Sequence, residues 1–235
     1  MLTNALRVPK DNHWISISDL MSVLMMIFLF IAITYIQSVQ ANQKKVKKIA
    51  VAYQELQESL YKDLYNEFKN DLTKWNAELN KENLAIRFKE PDVLFEIGKT
   101  EVKPAFKDIL ADFFPRYIKI LYADKYIKNI EEIRIEGHTS SEWSGVSDLC
   151  DRYFLNMELS QGRTRSVLQY CIDLIDNENK KTWIIKNITA NGLSFSKPIC
   201  NQDGQENQAA SRRVEFRTKT NAERKIVQII QTMEE

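Results

Sequence analysis

Between Trp14 and Ile36 the chain reads WISISDLMSVLMMIFLFIAITYI, and Asp19 is its only formal charge. At a rise of about 1.5 Å per residue, a helix of this length crosses a bilayer core of roughly 30 Å. A secretory leader would have a shorter apolar run and a small-residue cleavage site, whereas Tyr35, Ile36 and Gln37 follow here, so the helix is expected to be retained. A carboxylate at such depth costs about 2.5–3.5 kcal/mol on insertion scales, which makes it a functional candidate by default. The competing reading is a first-turn acid beside Ser16 and Ser18, favoured by the helix dipole at the membrane edge. Ser18 and Ser22 lie within a turn of Asp19, either lining an ion path or letting helices approach closely.

Beyond the span, apolar residues recur at Val46, Ile49, Tyr53, Leu56, Leu60, Leu64, Phe68, Leu72, Trp75 and Leu79. Their mean interval of about 3.67 residues predicts a nearly straight helical stripe. Such a stripe serves either self-association or packing on the chain's own downstream domain. From Leu84 the pattern changes. LAIRF (84–88) and DVLFEI (92–97) read as strands, Pro104–Tyr122 as a helix with proline in its first turn, and EEIRIEG (131–137) as a strand. Tyr153–Ile175 reads as a second long helix, TWIIKNITANG (182–192) and RRVEFRT (212–218) as strands, and 221–233 as a short amphipathic helix. Alternation on this scale gives an α+β chain whose second half is a two-layer α/β sandwich of about 140 residues, an ordinary size for one core.

A net charge of +1 with 28% charged residues excludes the broad basic surface of a nucleic-acid binder. No nucleophile motif, paired carboxylates or phosphate-binding glycine loop points to an enzyme, and no cofactor is expected. Cys150, Cys171 and Cys200 lack C-x-x-C spacing. They read as small buried hydrophobes or, in an oxidising compartment, as one disulfide pair plus a third thiol. His138 reads as a turn residue satisfied by backbone, with no neighbouring cluster to make it a metal ligand.

The stretch W14-I-S-I-S-D-L-M-S-V-L-M-M-I-F-L-F30 resembles the opening of MotB-type stator subunits, and that resemblance makes Asp19 the ion-carrying carboxylate, for H⁺ or Na⁺. Four further motifs resemble the OmpA-like peptidoglycan-binding fold in order: F95-E-I-G-K-T-E-V-K-P104, I133-R-I-E-G-H-T139, N156-M-E-L-S-Q-G-R163 and A210-S-R-R-V-E215. Together they are most similar to the stator subunits of Zorya anti-phage defence systems; flagellar-type stators and passive cell-wall anchors are the alternatives. The resemblance implies a homodimer inside a ring of five MotA- or ZorA-like subunits, a 5:2 complex in the inner membrane. It also implies that Arg163, Asn156, Thr139, Ser140 and Arg212 form the peptidoglycan site, a guanidinium being suited to the carboxylate of the peptide stem. Helix capping is the plainer role for Asn156, and a surface ion pair for Arg212.

The implied layout is a cytoplasmic segment (1–13), a transmembrane helix (14–38), a helical linker (39–82), a periplasmic OmpA-like domain (83–220) and a C-terminal helix (221–235). Charge argues against this orientation. Arg7 and Lys10 precede the span while Lys44, Lys45, Lys47 and Lys48 follow it, and the positive-inside rule alone would turn the chain over. The domain outweighs the lysines, because a wall-binding module in the cytoplasm has nothing to bind. One departure bears on the ligand: Ser140 stands where the family has an aspartate to meet the ligand amine, leaving Glu142 or Asp148 as substitutes. Ser211 in place of the usual asparagine is a second, smaller departure.

Overall fold

A computed structural model describes residues 13–89, 94–221 and 227, with side chains from residue 17 onward. The chain divides into two units, Met1–Val51 with Gln228–Glu235 and Ala52–Val227. Helix α1, His13–Phe68, contributes to both. The expected C-terminal helix over 221–233 lies outside the described residues apart from Asn221 and Val227.

In the first unit, the apolar part of α1 has no polar face. Leu20, Met25, Phe30 and Tyr35 point in different directions around the helix and are each 65–75% exposed. A helix apolar on all sides is stable only in lipid or against other helices. Among the described residues it is the one helix long and apolar enough to cross a membrane.

In the second unit the apolar stripe turns inward. Leu60, Leu64 and Phe68 recur every four residues and are fully buried, as is Leu72 nearly so. They pack on helix α2, Pro104–Leu121, where Phe68 lies 5.2 Å from Phe113 between ring centroids. Each such side chain contributes about 1.5–3 kcal/mol on burial. Around residues 52–75 the stripe therefore packs on its own domain. Polar ties reinforce it: Arg116 donates to Glu67 and Asp71, and Tyr126 to Asp63.

The helix ends at Phe68, short of the expected 82. Asn76, at a left-handed φ of 46°, turns the chain into a short strand β1, Ala77–Asn80, which pairs antiparallel with β2, Ala85–Phe88. The five-stranded sheet also contains β3 (Ile130–His138), β4 (Ile188–Gly192) and β5 (Arg213–Thr220), in the order β1-β2-β5-β3-β4. Only β3 and β4 are parallel, and helices α3 (Leu149–Asp173) and α4 (Glu178–Asn187) lie between them in sequence. One sheet face packs Ile86, Phe88, Ile133, Ile135, Val214 and Phe216 against the helices, completing the two-layer sandwich.

Three expected elements differ. DVLFEI is not a strand where described: Phe95 makes one isolated bridge to Val102, and a turn through Gly98 (φ 68°) separates them. Residues 182–187 are the end of α4 rather than strand, because Asn177 caps that helix and Glu178 and Lys186 suit its two ends. Helix α3 starts at Leu149 rather than Tyr153, since the Asp148 side chain accepts from the Asp151 amide.

Candidate functional site

Helix α3 lies unusually close to the sheet, and two glycines make that possible. A Cβ on Gly137 would stand 2.9 Å from the Ser160 carbonyl oxygen, and one on Gly192 would stand 2.3 Å from the Gln161 amide nitrogen. Side-chain bonds lock the contact: Gln161 accepts from the Gly192 amide and donates to the Ala190 carbonyl, while Ser160 accepts from the Ser194 amide. This docking brings the start of α3 beside the loop that follows β3.

Between them is a cleft of about 420 Å³. It gathers all five residues expected to contact the wall, Thr139, Ser140, Asn156, Arg163 and Arg212, together with Glu142 and the apolar Phe95, Ile97, Trp143 and Leu159. Thr139 is 3% exposed, and among the described residues neither its hydroxyl nor the buried Arg212 Nε has a hydrogen-bond partner. Enclosed polar atoms left unpaired are costly, so a polar group entering the cleft would find hydrogen-bond partners there.

The remaining residues position the walls. Arg163 donates to the carbonyls of Lys99 (2.9 Å) and Glu96 (3.1 Å) and lies 4.8 Å from the Phe95 ring centroid, so it fixes the loop around Gly98 while lining the cleft. The Asn156 amide donates to the carbonyls of Glu142 and Arg152. It braces the loop after β3; the capping role falls to Asp148. Ser141 holds the Glu206 carboxylate through its amide and hydroxyl. Ser211 accepts from the Ile199 amide, anchoring the segment before helix α5, Gln208–Ser211.

The two arginines of the closing motif divide their work. Arg212 faces the cleft, whereas Arg213 is buried on the opposite side of the strand and donates to Glu215 (2.6 Å) and the Ser211 carbonyl (2.9 Å). Burial alone would raise the Glu215 carboxyl, but Arg213 and Arg87 hold it below the usual carboxylate range. His138 corrects its sequence reading. It ends β3 instead of sitting in a turn, both ring nitrogens lack hydrogen-bond partners among the described residues, and ligand-capable atoms of Glu136, His138 and Glu215 lie within 4.8 Å of one another. Burial and then Arg213 push its pKa down to about 3, so the 3.9 Å approach to Glu136 is not an ion pair at neutral pH. Glu215 already accepts from two guanidiniums, which supply the positive charge that this cluster needs.

Asp19, Ser18 and Ser22 lie on the exposed surface of α1. The Ser22 hydroxyl donates to the Ser18 carbonyl (2.8 Å), which satisfies its proton within the helix and leaves its oxygen lone pairs outward. All three cysteines are free, Cys171 buried and Cys150 and Cys200 exposed. Sequence reasoning missed Phe95, Ile97, Trp143 and Leu159 as cleft residues; Trp143, four residues past the GHT motif, was the one with a visible signal.

The second unit has the fold of MotB-like proteins, an OmpA-like sheet domain. A crystal structure of a MotB-like protein from Desulfovibrio vulgaris superposes with a TM-score of 0.51 at 24% identity, covering 71% of this chain and 96% of that one. The periplasmic domain of Helicobacter pylori MotB gives 0.43 at 20% identity, covering 66% and 89%. No family model matches the chain. Over 229 residues it is 50% identical to Zorya protein ZorB of Escherichia coli, spanning 96% of this chain and 97% of that protein. The chain belongs to the ZorB family.

Proposed function

We propose that this protein is the wall-anchored, ion-conducting stator subunit of a Zorya anti-phage system. It crosses the inner membrane once through residues 14–38, with its N-terminus cytoplasmic and its sheet domain periplasmic. Two copies sit inside a ring of five MotA- or ZorA-like subunits, and H⁺ or Na⁺ passes by way of Asp19 with Ser18 and Ser22 along its path. No further cofactor is needed. A carboxylate in a dry site takes up a cation when its surroundings change and releases it on the other side, and the ring converts that cycle into rotation or signalling. The cleft grips the peptide stem of peptidoglycan, so the ring moves against a fixed foot.

The observation that carries this reading is the pairing, in one ZorB-family chain, of an apolar span with Asp19 as its sole charge and a domain whose cleft collects Arg163, Arg212 and the unpartnered Thr139 hydroxyl. The test is phage challenge of cells carrying the complete system with Asp19→Asn. Protection is expected to fall to that of cells without the system while the protein still reaches the membrane. Full protection with Asp19→Asn would leave only a tether.

A further inference from the structure

Between Asp19 and Glu55 the chain contains no acid, and its only charges there are Lys44, Lys45, Lys47 and Lys48. On helix α1, at about 100° per residue, these four fall within an arc of about 160°. Val39, Asn42, Val46 and Ile49 occupy the opposite face and are half-buried, whereas all four lysines are exposed. None of the four has a hydrogen bond or ion pair among the described residues. Lys62, further along the same helix, pairs with Glu58 at 3.6 Å. Within the cluster, Lys44 with Lys47, Lys44 with Lys48 and Lys45 with Lys48 stand three or four residues apart, where like charges repel. Uncompensated positive charge is thus concentrated on one face of the helix, and an anion at that face would relieve it.

Position selects the anion. Lys44 follows Ile36, the end of the apolar run, by eight residues, about 12 Å of helix. Helical side chains lean toward the N-terminus, and a lysine stem lets its charge snorkel, so the ammonium groups reach back toward the bilayer. The headgroup layer adds roughly 5–8 Å beyond the hydrocarbon core. The screening length at physiological salt adds about 8 Å more. We propose that Lys44, Lys45, Lys47 and Lys48 form a binding surface for anionic phospholipid headgroups on the C-terminal side of the span. The assignment rests on the reading of residues 14–38 as a membrane span and goes beyond it: the headgroups fix the depth of α1 in the bilayer. It also accounts for the excess of lysines on this side without turning the chain over, since they serve lipid contact rather than topology.

The test uses the full chain reconstituted in phosphatidylcholine vesicles with a trace of spin-labelled phosphatidylglycerol or spin-labelled phosphatidylcholine. Electron spin resonance reads how much of each lipid the protein immobilises. The wild type is expected to prefer phosphatidylglycerol by about fivefold or more, the factor that one fully effective lysine–headgroup contact supplies. The fourfold variant Lys44→Gln, Lys45→Gln, Lys47→Gln, Lys48→Gln is expected to lose most of that preference, and the corresponding fourfold Lys→Arg variant to keep it. Inorganic phosphate is expected to weaken the preference no more than sodium chloride of equal ionic strength. A wild type without preference, or a fourfold Lys→Gln variant with the full preference, would overturn the assignment while the span reading stood. Selective abolition by inorganic phosphate would also overturn it, in favour of a site for a free anion. A chain that alkaline carbonate strips from the vesicles would refute the span reading, and the lipid assignment with it.

Discussion

Replacing Gly192 with alanine tests whether α3 is held against the sheet as tightly as described. The added Cβ would stand 2.3 Å from the Gln161 amide nitrogen and 2.6 Å from its Cα, and both are backbone atoms that no rotamer change can move. Ordinary contact requires the helix to retreat by about 1 Å, and overpacking of this kind costs about 2 kcal/mol. For a domain of this size that lowers the melting temperature by about 4–8 °C. Retreat of α3 also displaces Asn156, Leu159 and Arg163, which line the cleft, so binding to sacculi is expected to weaken with stability. Thermal unfolding by circular dichroism and sacculus sedimentation of the purified chain read the two effects. Gly204→Ala separates overpacking from backbone strain: its φ of 81° strains an alanine but nothing lies within 4 Å of the added Cβ, whereas Gly192 lies in β4 with no such φ. A Gly192→Ala protein that melts with the wild type and binds sacculi normally would refute the close docking.

Further outcomes follow from buried groups. The Tyr117 hydroxyl bonds to Thr218 at 2.5 Å in the core, so Tyr117→Phe should cost about 1–2 kcal/mol in denaturant unfolding, and adding Thr218→Val should recover part of it. His138 has a folded pKa near 3 against 6.5 unfolded, so the unfolded chain binds the extra proton between those values. Stability should therefore fall with decreasing pH across that window, by about 1.4 kcal/mol per unit from this residue, and His138→Gln should flatten the slope. Glu215 acts in the same direction lower down: its depressed pKa stabilises the fold above the unfolded carboxylate range, and that contribution is lost as pH falls through the folded value. Cys150 and Cys200 should react with a maleimide in the native protein, whereas Cys171, buried and with its thiol pKa raised by burial, should react only after denaturation.

Much of this architecture was legible because it follows short periodicities. The apolar span, the Pro104 helix start, the alternating EEIRIEG strand and the RRVEFRT strand each carry their signal within a few residues. The residues that line the cleft were readable too, since motifs far apart in sequence converge when α3 docks on Gly137 and Gly192. What stayed hidden depended on tertiary context. The stripe from Leu60 to Trp75 has the same period whether it meets a second copy or its own domain; Phe113 of α2 and its neighbours across the core decide. β1 is four residues of mixed polarity, AELN, that become a strand by pairing with β2. WIIKNI resembles a strand by composition, but the Asn177 cap upstream makes its first half helical. His138 was misread because its environment comes from Glu136, Arg213 and Glu215 on two paired strands, not from its sequence neighbours.

The central claim is that Asp19 carries ions across the membrane. Its most direct test is ion uptake by sealed vesicles containing the assembled complex of this chain with its partner ring, under an imposed H⁺ or Na⁺ gradient. Wild-type complexes should conduct one of the two ions, and complexes with Asp19→Asn, assembled to the same extent, should not. Equal uptake by both would contradict the claim.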